Sequence, residues 1–405
     1  MKVTDLETFV VGNPDRDRGG RYWLFVKLVT DDGIVGYGEV YAAAFAPDAV
    51  ERLVGDVFQR FVEGWDPFRI ELLWRRVYSA GYSQRSDITL MAVLSGIEIA
   101  LMDIVGKAVG RPVYDLIGGR VHERLRTYTY LYPNPGDQAD VYTDADVAAE
   151  RAVEMVEAGF TAVKFDPCGP YTACDPRQLD VDVLGHAERF TRAIREAVGE
   201  RCDLLFGTHG QLTAAAAIRL ARRLEPYDPL WFEEPVPPEN MEEMARVARA
   251  TTIPVAAGER LAGKYEFARL MATGAASIVQ LNLGRAGGIL EAKKIAALAE
   301  VHYCQIAPHL YCGPIAGAAS IQLAACSPNF LIQEGILDWG GFCARILRRP
   351  LQWEAGFIIP PTEPGIGVEL DEDVARSHPY TGSDLHLVVQ DVPGSGTFGS
   401  MESRR

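Results

Sequence analysis

The chain has 405 residues, of which 48% are hydrophobic, and its formal net charge is −15. That length admits one large domain plus a smaller one with ample core, and nothing in the composition points to disorder. The acidic balance argues against nucleic acid and anionic membranes as partners, but not against an anionic substrate in a cleft whose field a metal or lysines reverse.

In chain order, residues 1–12 and 22–41 read as antiparallel strands. Tyr22–Thr30 should meet Ile34–Val40 across the turn Asp31-Asp32-Gly33. The polar, Gly-rich stretch 12–21 between the first two strands is a mobile connection or a lid. Residues 46–118 read as helical. Pro47-Asp48 suits a first turn, and apolar positions from Leu90 through Ile104 recur at helical spacing after a cap at Ser86-Asp87. Gly110 with Arg111-Pro112 stops that helix. Strands followed by a run of helices make an α+β domain over 1–123.

From 124 to 345 the pattern changes to strand–helix alternation. Helices are expected at Asp144–Ala158, Leu184–Val198, Ala214–Leu224, Pro238–Ala250, Tyr265–Thr273, Gly288–Val301 and Pro314–Cys326. Short apolar runs end on Gly207 (His209 just beyond), Glu233, Glu259, Asn282, His309 and Glu334, at steps of 26, 26, 23, 27 and 25 residues. That repeat suits a strand, a loop and a three-turn helix. Two further strands, Leu125–Tyr130 and Ala162–Asp166, bring the total to eight, the number that closes a (β/α)8 TIM-type barrel with its site at the C-terminal strand ends. Residues 346–405 turn irregular again. Gly365–Leu370 is predicted as a strand returning to the N-terminal capping domain, and the tail from Pro393 as flexible or an oligomer arm.

The seven cysteines form no CxxC pair, the N-terminus lacks a signal-peptide core, and no uninterrupted apolar stretch reaches spanning length. A soluble, cytoplasmic protein with reduced thiols is expected.

Glu233 and Glu259 close adjacent strands, so their carboxylates should converge and repel unless protonated or bridged by a cation. A hard divalent ion, Mg2+ first, resolves this; an ordinary ion-pair network with Arg or Lys is the alternative. His209 and His309 alone among the seven histidines close the apolar strands. Lys164 adds a cation suited to a substrate carboxylate. Glu334 is an acid, a hydrogen-bond donor or a surface residue. Together these groups fit removal of a proton next to a carboxylate, with the second histidine protonating a departing β-hydroxyl or returning a proton to the opposite face.

Several motifs stand in a specific order: Ser95–Lys107, Leu116-Ile117-Gly118-Gly119, Trp231-Phe232-Glu233-Glu234-Pro235, Ala257-Gly258-Glu259-Arg260, Ala286-Gly287-Gly288-Ile289, Ile306-Ala307-Pro308-His309 with Gly313-Pro314, and Gln333-Glu334. In these the chain resembles the enolase superfamily, in its mandelate racemase/muconate lactonizing enzyme branch, closest to D-galactonate dehydratase-like acid-sugar dehydratases. The resemblance implies Glu233 and Glu259 as Mg2+ ligands, His309 as base, His209 as acid and Glu334 as hydrogen-bond partner of an enediolate. It also implies a sugar acid as substrate, closure of loop 12–21 over it, and a homo-oligomer. Three positions depart from the family pattern. Gly207 stands where a third carboxylate ligand is expected, Asn282 where an aspartate pairs with the catalytic histidine, and Asp166 where relatives carry lysine or asparagine. Strand alternation puts Asp166 on the face of Lys164, from where it could supply the missing metal ligand. The alternatives are that Asp166-Pro167 merely begins a loop, or that His209 turns inward onto the metal. Dehydration to a 2-keto-3-deoxy acid leads; an epimerase or cycloisomerase on the same scaffold and a non-catalytic relic are the alternatives.

Overall fold

The turn at Asp31–Gly33 closes as expected: Gly33 adopts φ +84° and its N–H donates to Thr30 O at 2.9 Å. It joins β2 (Tyr22–Thr30) to β3 (Val35–Val40), and β1 (Val3–Gly12) completes a three-stranded antiparallel sheet. This is a computed structural model, and it describes residues 1–389 except 17, 138 and 388; the tail from Pro393 lies outside the described residues. Against the sheet lies the helix Ile88–Val109, capped by Asp87 on the N–H groups of Thr89 and Leu90 and ended by Gly110 at φ +68°. The two meet backbone to backbone. A Cβ at Gly38 would come within 1.8 Å of Gly96 O, and one at Gly36 within 2.1 Å of Ala100 O. That helix is apolar on every side and long enough to cross a membrane, but 83% of its most apolar window is buried within the protein, as befits a core helix.

Eight parallel strands form the barrel: β4 (Leu125–Tyr130), β5 (Ala162–Phe165), β6 (Asp203–Gly207), β7 (Trp231–Glu233), β8 (Val255–Ala257), β9 (Ile278–Val279), β10 (Gln305–Ile306) and β11 (Gln333–Gly335). Each pairs with its neighbour in sequence, and β11 pairs with β4 in the register Gln333↔Thr127. The last seam, between β10 and β11, is closed by the Ile306↔Phe330 bridge and by Leu331 N–H on Ile306 O at 2.9 Å. One residue from each strand, or from the position adjoining it, fills the interior: Tyr128, Ala162, Leu205, Trp231, Ala256, Ile278, Ala307 and Ile332. Three alanines make room for Tyr128 and Trp231, whose rings meet edge to face at 5.1 Å. Helix limits shift where a cap decides them. The helix predicted from Pro238 spans Met241–Ala248, because the Asn240 side chain accepts from Glu243 N–H.

The C-terminal segment takes a different course from the one expected. It first forms a hairpin, β12 (Gln352–Glu354) and β13 (Phe357–Ile359), and β13 pairs antiparallel with the start of β4. Gly365–Leu370 is not a strand. Gly365 and Gly367 sit at φ +80° and +85°, which breaks a pleat, and only isolated bridges Pro112↔Gly365 and Leu347↔Leu370 form. The return to the cap is real nonetheless: Ile366 N–H donates to Asp103 at 2.9 Å, and Tyr380 N–H to Val10 O at 2.9 Å.

Candidate active site

Strand alternation carries the interior plug upward into a polar layer. Two residues beyond Ala162 is Lys164, beyond Leu205 is Gly207, beyond Trp231 is Glu233, beyond Ile278 is Gln280, beyond Ala307 is His309, and beyond Ile332 is Glu334. Gly207 apart, these residues crowd their side chains at the C-terminal mouth of the barrel. Glu233, fully buried, accepts from Lys164 Nζ at 2.7 Å on Oε1 and from Gln280 Nε2 at 2.7 Å on Oε2. Lys164 Nζ also reaches Glu334 Oε1 at 3.4 Å. Burial opposes its charge, but Glu233, Glu334 and Glu259 outweigh that and hold its pKa well above the ordinary lysine range. Glu334 accepts from Leu310 N–H at 2.7 Å.

Glu259 reaches the same space from beyond its strand, across Gly258 at φ +138°. Its Oε2 is buried and accepts no hydrogen bond. His309 Nε2 stands 3.2 Å from that oxygen and His209 Nε2 3.8 Å. Burial works against its ionisation, yet the two histidines when protonated, and the standing charges of Lys164 and Arg260, hold its pKa below the usual carboxylate range. Among the described residues, the donor atoms of His209, Glu233 and Glu259 lie within 4.8 Å of one another. Asp166 does not join them. Its Oδ1 accepts from Cys168 N–H at 2.8 Å and its Oδ2 from Gln211 Nε2 at 3.2 Å, the contacts of a residue that opens a loop.

His209 has a left-handed backbone, φ +49°, which folds its ring back so that Nδ1 is 2.5 Å from Gly207 O and 2.6 Å from Tyr171 Oη. His309 is held on the opposite side. Its Nδ1 is 2.9 Å from Asn282 Nδ2, and its ring stacks on Tyr41 at 6.1 Å. Asn282 Oδ1 is taken by Gly284 N–H at 2.8 Å, so the amide turns its NH2 toward the histidine. Burial drives the pKa of His309 down to about 3.

In the loop after β1, Arg18 donates to Pro133 O at 2.7 Å, while Asn13 Nδ2 ties Asp15 O, Arg18 O and Gly20 O together, each at 2.8 Å. Sequence reasoning missed the residues that frame this mouth. Gln280 was legible, two residues before Asn282 on one face. Glu234 stood in a quoted motif without a role; it is buried and ion-paired with Arg260 at 2.6 Å. Tyr171 and His386 gave no signal. The latter returns from the far end of the chain to pack edge-on against Tyr41 at 5.2 Å. A cavity of about 1090 Å³ opens beside the cluster, between residues 41–44 and 78–89 of the cap and the loops after β7 and β8. Arg260 and Arg285 line it, whereas Glu233, Glu259 and His309 do not, so it is not the reacting centre.

Residues 147–374 match the family model described as Enolase C-terminal domain-like, and residues 18–118 that of the Mandelate racemase / muconate lactonizing enzyme, N-terminal domain. The D-galactonate dehydratase of Variovorax paradoxus (strain S110) is 37% identical over 386 residues, covering 92% of this chain and 93% of that one. The D-galactonate dehydratase of Ralstonia pickettii (strain 12J) is 38% identical over 380 residues, again 92% and 93%. The crystal structure of mandelate racemase/muconate lactonizing enzyme from Sulfitobacter sp superposes with a TM-score of 0.95 at 53% identity, covering 97% of this chain and 99% of that one. On matches of that extent the chain belongs to the enolase superfamily, in its mandelate racemase/muconate lactonizing enzyme branch.

Proposed function

We propose that the protein is an acid-sugar dehydratase, which removes the α-proton of a sugar acid and expels the β-hydroxyl as water to leave a 2-keto-3-deoxy acid. The observation that carries this reading is the meeting of a neutral imidazole, His309, with Lys164, Glu334 and two further carboxylates at one barrel mouth, in a chain 37–38% identical to D-galactonate dehydratases. Lys164 offers its charge to the substrate carboxylate. His309, kept neutral by burial, takes the α-proton at Nε2. Burial pushes Glu334 up to about 7 against the pull of Lys164, so at neutral pH its carboxyl can donate a hydrogen bond to the enediolate. The C–O bond at the β-carbon then breaks, the hydroxyl leaves as water with the proton that His309 took from the α-carbon, and the enol formed ketonises.

The residues present fit a divalent cation: Glu233, Glu259 and His209 converge, and Glu259 Oε2 is buried without a hydrogen bond. Such an ion, when bound, supplies positive charge to the enediolate. All seven cysteines are free, as a reducing compartment would leave them, and we read the protein as a cytoplasmic homo-oligomer.

Screening aldonic and aldaric acids for 2-keto-acid formation, with α-proton exchange followed in D2O, tests the reading. Keto-acid formation is expected, with exchange abolished in His309→Asn. An epimer or a lactone as sole product would overturn the dehydratase assignment in favour of another enolate reaction, and exchange undiminished in His309→Asn would remove the base. No exchange with any acid would point to the relic.

A further inference from the structure

We propose that His209 is the third protein ligand of the divalent ion, replacing the carboxylate that Gly207 lacks, and that the ion is a borderline transition ion such as Mn2+ or Zn2+ rather than Mg2+. The proposal rests on the reading above, that a cation serves this site.

Gly207 has neither a side chain nor room for one. A Cβ there would lie 2.6 Å from Lys164 Cε and 3.1 Å from His209 Cε1. The volume a carboxylate would need is filled by the lysine chain and the histidine ring. The ring is oriented for ligation. Gly207 O can only accept, so the 2.5 Å contact places a proton on Nδ1, and the neutral ring presents a bare lone pair at Nε2. That lone pair faces Glu233 Oε1 at 3.7 Å and Glu259 Oε2 at 3.8 Å. No hydrogen lies between these three atoms, although Lys164 Nζ sits 2.7 Å from Glu233 Oε1 and His309 Nε2 3.2 Å from Glu259 Oε2 on their outer sides, and a cation among the three relieves the facing lone pairs. A ligating histidine whose other nitrogen donates to a backbone carbonyl is the usual supporting contact of a metal site.

The ring is also fixed in place. Thr208 Oγ1 donates to Glu233 O at 2.7 Å, Gly210 N–H to Glu234 O at 2.6 Å, and Arg260 Nη2 to His209 O at 3.0 Å, so the residues on both sides of His209 are stapled to the neighbouring loops. One imidazole nitrogen with two carboxylates suits Mn2+, Co2+ or Zn2+. Mg2+ prefers an all-oxygen shell and gives up its water reluctantly. Loss of one of three negative ligands weakens the hold on a hard ion further. A ligand histidine is not free to protonate a leaving group, so His309 becomes the imidazole that both takes the α-proton and delivers it to the hydroxyl.

The test is pulsed electron paramagnetic resonance of Mn2+ added to the chelator-treated full chain, with calorimetric titration of Mn2+ and Mg2+ alongside. The wild type should show imidazole nitrogen coupling on Mn2+, and His309→Asn should keep it. His209→Asn should lose it and bind Mn2+ at least about tenfold more weakly, while the wild type binds Mn2+ about tenfold or more tightly than Mg2+. Absence of nitrogen coupling in the wild type overturns the proposal, whether or not the variants fold; so does coupling that survives in His209→Asn, or Mg2+ bound as tightly as Mn2+. Keto-acid formation without nitrogen on the ion defeats this inference and leaves the dehydratase reading standing. Nitrogen coupling without turnover of any sugar acid supports the inference and defeats that reading.

Discussion

Asn282 shows how one side chain can set the working range of a base. Because its Oδ1 is held by Gly284 N–H, it offers His309 Nδ1 a donor, and the neutral ring rests with its proton on Nε2. To accept the α-proton there, the ring must first move that proton to Nδ1 and lose the hydrogen bond, a handicap of about 1 kcal/mol or roughly fivefold in rate. An aspartate would accept from Nδ1–H, free Nε2 and raise the basicity of the ring by its charge. Asn282→Asp should therefore exchange the α-proton roughly fivefold faster at high pH. Its acid limb should lie at higher pH than that of the wild type, whose His309 stays neutral far into acid. Superimposable rate–pH profiles for the two enzymes would show that Asn282 is not coupled to the base. The two histidines were legible as strand-end residues; their tautomers were not, because each is set by a backbone or amide group brought in from elsewhere.

Elements of the C-terminal segment are held by ion pairs, which makes their attachment acid-sensitive. The helix Glu372–Ser377 places Glu372 where Lys27 Nζ of β2 approaches to 2.8 Å, Tyr37 Oη of β3 donates at 2.7 Å, and Arg376 donates at 2.7 Å. Burial raises the pKa of Glu372, but these three bonds outweigh it and bring the value down to about 2 from 4.5. A carboxyl depressed on folding adds stability above its unfolded pKa. That contribution is complete above pH 4.5 and is lost as the pH falls toward 2. Glu372→Gln should flatten the loss of stability between those two values in urea unfolding; an unaltered acid arm would show that this contact does not hold the segment.

Over the whole molecule, the cap is locked to the barrel by buried carboxylates at helix starts. Glu98, from the long cap helix, accepts from Ile289 N–H at 2.6 Å and Leu290 N–H at 2.9 Å, at the first turn of the barrel helix Ile289–Val301. Glu39 of β3 does the same for the helix Pro314–Ala325, accepting from Gly313 N–H and from Ala316 N–H at 2.8 Å. Each satisfies donors that a helix start leaves orphaned, and each meets the positive end of the dipole. Glu98→Leu keeps the bulk and strands two buried N–H groups, at about 1–3 kcal/mol each. Denaturant titration should register that loss, and a change below about 0.5 kcal/mol, the scatter of neutral surface substitutions, would refute the lock.

Strand periodicity alone determined the eight-strand count and the residues that close the strands, among them Glu233, His309 and Glu334. The physical reason is that a regular strand alternates its side chains strictly, so position along it dictates direction. That rule lapses one residue past the last ladder bond. There, Asp166 turned to the N–H of Cys168 and the amide of Gln211, His209 adopted a left-handed backbone that swung its ring over Gly207, and Gly365 and Gly367 broke an expected strand. His386, 77 positions beyond His309 in the chain, was brought to the mouth only by the return of the C-terminal segment. Such placements depend on loop dihedrals and on partners distant in sequence, and only the tertiary structure decides those.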